Sequence, residues 1–263
     1  KEFNKGLLLT SLGSFWWGFI GVLYFQYVSF IGHVELVVHR CLWTAFMLIL
    51  TTTFFSKWGI FFKIISSKKN LLGLFVSGFL IFINWAIWIY AVATERIIDA
   101  SFGYFIMPII SVLLGYIFFK EKLNKKRIFS ILLVLISILI LIFFNLKSLP
   151  WVGLIVAFSW AFYNLVRKKI LIDTDVGLLI ESLYILPFAL IAFYMIAKSG
   201  YNDFNLSNPG LSIFLVLAGP MTVIPLFLYV RGVELIGLGP TGMIFYITPT
   251  LQFLLGYFYY NEE

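Results

Sequence analysis

The feature that most constrains the fold is a series of long apolar runs separated by short charged segments. A bilayer core about 30 Å thick is crossed by roughly 20 helical residues. Because hydrocarbon cannot satisfy free backbone N–H and C=O groups, apolar runs of this length are predicted to be helices. We assign nine such spans, at 6–28, 35–55, 70–93, 97–119, 128–145, 151–167, 176–197, 210–230 and 239–260.

Composition places the chain in the membrane. Hydrophobic residues make up 62% of it and charged residues only 12%, whereas soluble domains average about 25% charged residues. The net charge of +7 does not indicate a nucleic-acid partner, because the basic residues lie in short segments between apolar runs and no base-reading module is present. The single cysteine, Cys41, excludes an internal disulfide. The expected fold class is an all-α polytopic membrane protein.

The distribution of Lys and Arg predicts the orientation. With the N-terminus placed in the cytoplasm, 15 basic residues fall in inside segments and 3 fall outside, while Arg40 lies within a span. Cytoplasmic segments of membrane proteins carry the excess of Lys and Arg. The N-terminus is therefore predicted to be cytoplasmic.

One segment of the chain occurs twice as an internal sequence repeat. Gly103–Glu121 shifted by 141 residues falls on Ile244–Glu262, and seven of the nineteen positions are identical. Low complexity can match Leu and Phe, but it does not place Pro, Gly and Glu at the same spacing, so we infer an internal duplication. The identical pairs are Ile106/Ile247, Pro108/Pro249, Leu113/Leu254, Leu114/Leu255, Gly115/Gly256, Tyr116/Tyr257 and Glu121/Glu262.

The two copies are predicted to face opposite ways. The fourth span enters from the outside and the ninth from the inside, so we expect two inverted-topology repeats of five helices, residues 1–145 and 146–263. The second repeat contains helices 6–9 only; a tenth helix is expected and absent, and we interpret the sequence as part of a ten-span protein. Inverted repeats around a midplane site are typical of secondary transporters.

Polar residues at membrane depth are the candidate site residues, because charged or polar groups are costly there. His39 and Glu181 are predicted to meet charged substrate groups, and the amides of Asn84 and Gln252 to orient the substrate. Aromatic faces would hold an apolar or cationic part. The alternatives are that Glu181 faces lipid headgroups and that the amides only join helices. The predicted substrate-binding residues are Trp16, His39, Asn84, Tyr104, Tyr163, Glu181, Tyr246 and Gln252.

Pro108 and Pro249 occupy equivalent places in the two copies. Each removes a backbone donor and is expected to kink its helix, which suits gating elements beside a pathway. The sequence contains no metal-ligand cluster, no phosphate-binding glycine loop and no sequence motif of a catalytic nucleophile. We therefore expect no metal, no cofactor, no catalytic residue and no coupling to ATP.

Several of these segments together resemble the RarD family. They are Glu35–Arg40 with Trp43, Asn84–Trp85, Gly103–Phe105 with Pro108, Ala161–Tyr163, Leu165–Lys169, Ile180–Glu181, Leu186–Pro187 and Tyr246–Thr250, ending at Glu262. RarD-like proteins form part of the EamA branch of the drug/metabolite transporter superfamily. The resemblance implies ten transmembrane helices in two inverted repeats, a bacterial inner-membrane location, and peripheral or dimer-forming fifth and tenth helices. It does not define the substrate.

The expected function is secondary transport. The chain would move a small amphipathic or zwitterionic metabolite, and drugs as well, by alternating access through a midplane cavity. An uncoupled channel or facilitator of the same fold is the main alternative; a membrane-embedded enzyme acting on lipid and a scaffold or receptor are weaker ones. The expected partners are the substrate and the lipid bilayer, without nucleic acid, and a homodimer is left open.

Overall fold

A computed structural model describes residues 2–120, 128–129, 132–133, 135–136, 139–140, 150–170, 172–200, 202–236 and 238–262. Most of the predicted fifth span, 128–145, and Glu121 of the first repeat copy lie outside these residues. Within these ranges the regular structure is helical, without strands. The α-helices are α1 (Glu2–Phe15), α2 (Gly21–Tyr27), α3 (His33–Phe54), α4 (Trp58–Ile65), α5 (Lys68–Ala93), α6 (Ile97–Phe119), α7 (Trp151–Ile170), α8 (Thr174–Ser199), α9 (Pro209–Val216), α10 (Ala218–Ile236), α11 (Leu238–Phe245) and α12 (Ile247–Leu254).

Three shorter turns connect some of these helices. A π-turn at Trp16–Ile20 joins α1 to α2, a 3₁₀ turn follows at Ser29–Ile31, and a second π-turn follows α12 at Leu255–Tyr259. In the part of the chain that the structure describes, six helical segments are long and apolar enough to cross a membrane: Glu2–Tyr27, His33–Phe54, Lys68–Ala93, Ile97–Phe119, Thr174–Ser199 and Pro209–Gly232. Each coincides with a predicted span. The all-α polytopic membrane fold is confirmed.

Some predicted spans differ from a simple apolar helix; the span 210–230, for example, consists of α9 and the start of α10, with Leu217 between them. The predicted span 151–167 is the helix α7, which ends in three consecutive basic residues and is not among the six. The predicted span 239–260 is divided at Tyr246, which lies between α11 and α12. Pro249 explains the division, because a proline cannot donate a backbone hydrogen bond to the carbonyl four residues earlier, which is that of Phe245. Pro108, the equivalent proline, is accommodated within the continuous helix α6.

The helices pack in pairs that recur between the two halves of the chain. The first helix, α1, packs against α10, and α7 packs against α5. Likewise α6 packs against α7, α12 packs against the π-turn that follows α1, and α3 packs against α8. Small residues allow the closest crossings: a Cβ atom on Gly103 would lie only 2.1 Å from the carbonyl oxygen of Gly153.

The two copies of the repeated segment run antiparallel. The carboxylate of Glu262, at the end of the second copy, accepts hydrogen bonds from the N–H groups of Ile97 (3.0 Å) and Ile98 (2.8 Å), where the first copy's helix begins. Tyr104 and Phe245, which are equivalent under the 141-residue shift, lie in contact with ring centroids 5.7 Å apart. The crossing of the copies therefore has the direction that the sequence predicts. The division into five-helix repeats at residue 145 stays a prediction.

Candidate functional site

A cavity lies beside the crossing of the two copies. The space between its walls is about 480 Å³, a figure that includes open solvent at the mouth. Aromatic rings form most of its wall. The lining residues are Trp17, Gly21, Phe25, Arg40, Asn84, Trp85, Trp88, Tyr104, Trp160, Met221, Phe245, Thr248 and Gln252.

Three of the predicted site residues, Asn84, Tyr104 and Gln252, line this cavity. The Asn84 amide nitrogen donates to the carbonyl of Val156 and to Ser159 Oγ, both at 3.1 Å, so it joins α5 to α7. Its oxygen accepts a hydrogen bond from the Tyr104 hydroxyl at 3.3 Å. The amide of Asn84 thus fixes the wall of the cavity. Gln252 is 1% exposed, and its Oε1 has no hydrogen-bond partner among the described residues.

Arg40 is a charged cavity residue that the sequence reasoning missed. Its side chain is 5% exposed, and its guanidinium carbon lies 5.0 Å from the Phe25 ring centroid, 4.8 Å from Trp85 and 5.6 Å from Trp88. These distances are those of cation–π contacts. The available signal was its depth: Arg40 was the basic residue that the orientation count left inside a span, and an intramembrane charge is by default a functional candidate.

At two positions the cavity wall is formed by the neighbour of a predicted residue. Trp17 lines the cavity instead of Trp16, because both lie in the π-turn, whose wider winding changes the direction of the side chains relative to an α-helix. Phe245 lines it instead of Tyr246, which is half-buried and stacks on Phe105 with ring centroids 6.1 Å apart.

His39 points away from the cavity. Its Nδ1 accepts a hydrogen bond from Trp43 Nε1 at 3.1 Å, and its Nε2 lies 3.6 Å from Glu35 Oε1. The ring also contacts Phe204, with centroids 5.2 Å apart. Glu35 in turn accepts a hydrogen bond from the backbone N–H of Asp203 at 3.0 Å. His39 therefore belongs to a polar cluster that ties the start of α3 to the segment after α8.

Glu181 and Tyr163 form a second buried polar cluster. Glu181 is 0% exposed; it accepts hydrogen bonds from Ser77 Oγ and from the Tyr163 hydroxyl, the latter at 3.3 Å, and lies 3.5 Å from Arg167 Nη1. The Tyr163 ring stacks on Trp160, with centroids 5.5 Å apart. Because Trp160 lines the cavity, these two rings separate Glu181 from it.

The Glu181 cluster lies toward the other end of the bundle from the three rings that surround Arg40. Ser77 and Trp85 are both on α5 and eight residues apart, which corresponds to about 12 Å along a helix. At the same end as the Glu181 cluster, Lys57 Nζ lies 2.6 Å from Asp175 Oδ2 and 3.2 Å from Asp173 Oδ2. Burial disfavours the Lys57 ammonium, but the two carboxylates outweigh this and raise its pKa above the ordinary lysine value.

Metal binding finds no support in the described ranges, where no group of three or more His, Cys, Asp or Glu side chains has the arrangement of a metal site. The cavity wall contains one charged side chain, four further polar side chains and a majority of aromatic rings. This arrangement suits the binding of a small molecule, because ligand sites combine apolar and aromatic walls with a few polar groups.

Comparisons with known proteins identify the family. The sequence pattern of the EamA-like transporter family matches residues 4–143. Protein RarD of Escherichia coli strain K12 is 33% identical over 263 residues, covering 100% of this chain and 88% of that protein. The chain belongs to the RarD family of EamA-like transporters.

Other RarD relatives agree with this membership. The uncharacterized transporter YojE of Bacillus subtilis is 33% identical over 264 residues, covering 99% of this chain and 87% of that protein. A chloramphenicol-sensitive protein RarD of Pseudomonas aeruginosa is 26% identical over 237 residues, covering 87% of this chain and 77% of that protein. No solved structure matches the chain significantly. The family and the six apolar helices make this RarD-family chain a multi-pass membrane protein of the transporter class.

Proposed function

We propose that this RarD-family chain is a secondary transporter that moves a small amphipathic or zwitterionic metabolite by alternating access. The observation that carries the proposal is the cavity at the crossing of two antiparallel copies of one segment, with Tyr104 from one copy and Phe245 from the other in its wall. Two halves that are related in this way can rock about a shared site and expose it to either side in turn.

A layer of aromatic rings at one side of the cavity favours alternating access rather than a continuous pore. Trp17, Trp160 and Phe245 contact one another, with centroid distances of 5.8 Å for Trp17–Trp160 and 6.4 Å for Trp160–Phe245. Below this layer lies the cluster around the fully buried Glu181, and Lys57 joins α3 to α8 beyond it. A path from the cavity toward that end would have to separate these contacts, which a rocking motion of the two halves can do.

The proposal includes the arrangement of the whole chain. Residues 1–145 and 146–263 would form the two inverted repeats, the protein would lie in a bacterial inner membrane, and the N-terminus would face the cytoplasm. The end of the bundle that carries Lys57 and the Glu181 cluster would then be cytoplasmic, so the structure would correspond to a state closed on the cytoplasmic side. In this scheme Pro108 and Pro249 are the bending points of the paired helices, and His39 acts as a polar residue of the pathway.

The test is counterflow in proteoliposomes. A thermal-shift screen of the purified protein against amino acids, amines and antibiotics first finds a ligand, because preferential binding to the folded state raises the unfolding midpoint. Uptake of the labelled ligand is then measured with and without unlabelled ligand inside the vesicles. Trans-stimulation supports a transporter, whereas equal uptake in both cases identifies an uncoupled channel or facilitator and contradicts the proposal.

Two matched pairs of variants test the predicted pathway residues. Glu181→Gln and His39→Ala should reduce counterflow, while the exposed residues Glu95 and His33 offer the controls Glu95→Gln and His33→Ala, which should leave it unchanged. If both buried-site variants transported normally, the assignment of Glu181 and His39 to the pathway would be wrong.

A further inference from the structure

The charge of the cavity wall is unbalanced. Arg40 is buried at the wall, and no salt bridge within the described residues involves it. The lining residues include no Asp or Glu. Of the buried carboxylates outside the cavity, Glu35 faces His39 and Glu181 faces Arg167. The third, Glu262, accepts hydrogen bonds from the N–H groups of Ile97 and Ile98. A buried charge without a partner is costly, so the wall has a positive group that an anionic ligand can neutralise.

The hydrogen-bonding groups of the wall show the same imbalance. Arg40 Nε and Nη1, Trp88 Nε1 and Trp160 Nε1 are all buried donors that lack a partner in the described part of the chain. The Asn84 amide, in contrast, is already occupied by Val156, Ser159 and Tyr104. Among the buried side-chain atoms of the wall that the structure describes, the unpaired acceptor is Gln252 Oε1. Four free donors against one free acceptor favour a ligand that carries acceptor oxygens.

We propose that the cavity binds an organic carboxylate, with Arg40 holding the carboxylate and the surrounding indole and phenyl rings holding its apolar body. This inference rests on the proposed transport function and names the substrate class for the same site. An arginine guanidinium presents a planar set of N–H donors that matches the two oxygens of a carboxylate. The rings of Phe25, Trp85 and Trp88 hold the guanidinium in place.

Arg40 still needs the carboxylate of a ligand, even though the aromatic rings make cation–π contacts with it. The faces of the three rings stabilise the positive charge of the guanidinium, but Nε and Nη1 still have no acceptor among the described residues. A purely cationic cargo would meet Arg40 without a carboxylate to offset the repulsion. A zwitterion is accommodated with its carboxylate on Arg40 and a donor group on Gln252 Oε1.

The test compares three probes of similar shape: phenylacetate, uncharged phenylacetamide and cationic phenethylamine. Binding to the purified chain in detergent is measured by calorimetry and by fluorescence, since four tryptophans line the cavity. We expect phenylacetate to bind at least about ten-fold more tightly than phenylacetamide, and phenethylamine to bind more weakly than either. Arg40→Gln should abolish the preference for phenylacetate, and Arg40→Lys should retain part of it because the charge remains.

Arg96 provides the matched control, because it pairs with Asp99 at the start of α6 and does not line the cavity. Arg96→Gln should leave the preference for phenylacetate unchanged. If Arg40→Gln fails to fold, Trp88→Phe keeps the charge and removes one N–H donor. It should weaken phenylacetate several-fold while changing phenylacetamide little.

The outcomes separate this inference from the transport proposal. Equal affinities for phenylacetate and phenylacetamide, no phenylacetate binding at all, or a preference that survives Arg40→Gln would overturn the carboxylate site. Inorganic phosphate that displaces phenylacetate at equal concentration would show a general anion site instead and would also overturn it. Counterflow of a neutral or cationic ligand that Arg40→Gln does not affect would refute the inference and keep the transporter. Binding that depends on Arg40 without counterflow of any ligand would keep the carboxylate site and refute the transporter.

Discussion

The close backbone crossing of α6 and α7 makes a sharp prediction about Gly103→Ala. The new Cβ atom would lie 2.1 Å from the carbonyl oxygen and 2.7 Å from the carbonyl carbon of Gly153. An ordinary contact needs about 3.4 Å, so α6 and α7 would have to separate by roughly 1 Å. The obstructing atoms are backbone atoms, which cannot rotate away as a side chain can. Since α6 carries Tyr104 and α7 carries Trp160, the separation would also open the cavity wall.

The expected loss of stability follows from two opposing effects. Overpacking against backbone belongs at the upper end of the usual range, about 3 kcal/mol. Replacing glycine by alanine within a helix recovers about 1 kcal/mol of helix propensity. The net destabilisation is therefore about 2 kcal/mol, which lowers the unfolding midpoint by about 4–8 °C in a protein of this size.

The assay is thermal unfolding of purified variants followed by tryptophan fluorescence, with ligand affinity measured on the same samples. Gly59→Ala is the matched control, because a Cβ atom at this exposed helical position meets nothing within 4 Å, and its midpoint should stay level or rise. An unchanged or raised midpoint for Gly103→Ala would refute the close backbone crossing of α6 and α7.

Three further substitutions test the polar contacts. Arg167→Gln should cost about 3–5 kcal/mol, because it leaves the Glu181 carboxylate buried without its cation, and adding Glu181→Gln should recover much of this loss; a double variant no more stable than the single one would contradict the pairing. Glu262→Ala should cost about 1–2 kcal/mol, because the first two N–H groups of α6 lose their acceptors, and thermal unfolding beside Glu95→Ala, which should change little, checks it. Lys57→Gln should cost about 1 kcal/mol or less because the ion pair is partly exposed, and the loss should shrink as salt is added; a loss of several kcal/mol would indicate a larger structural role.

Much of the fold could be predicted because the bilayer limits the choices. Membrane thickness fixes the length of an apolar helix, so six spans were located from the apolar runs alone. The antiparallel direction of the repeated segments followed from their offset of five spans, an odd number, between the fourth span and the ninth. The break at Tyr246 was not predicted, although Pro249 gave its cause. Proline is compatible with both a continuous and a divided helix, and Pro108 shows the first outcome.

The candidate site was predicted by residue type more than by position. Asn84, Tyr104 and Gln252 stand out as polar groups in apolar helices, and all three line the cavity. Trp17 and Phe245 could not be preferred over their neighbours, because the π-turn and the division of the ninth span change which side chain faces inward. The pairing of Glu181 with Arg167 joins two helices, and helix periodicity alone does not show such a contact.

Arg40 illustrates a different limit. Counting basic residues for orientation treats each one as a marker of its loop, and the count set Arg40 aside because it lay within a span. The structure gives that residue an environment of three aromatic rings and a cavity wall without carboxylates. The charge of the site depends on which side chains from different helices meet, and this information comes from the packing.

The most direct test of the account is the accessibility of the cavity from the two sides of the membrane. Met221, whose side chain lines the cavity, is replaced by cysteine in a Cys41→Ser background, and a membrane-impermeant thiol reagent is applied to either side of oriented vesicles. Alternating access predicts that the cysteine is labelled from both sides, and that a bound ligand slows labelling from each. Labelling from one side only, under all ligand conditions, would contradict a cavity that two antiparallel repeats open in turn.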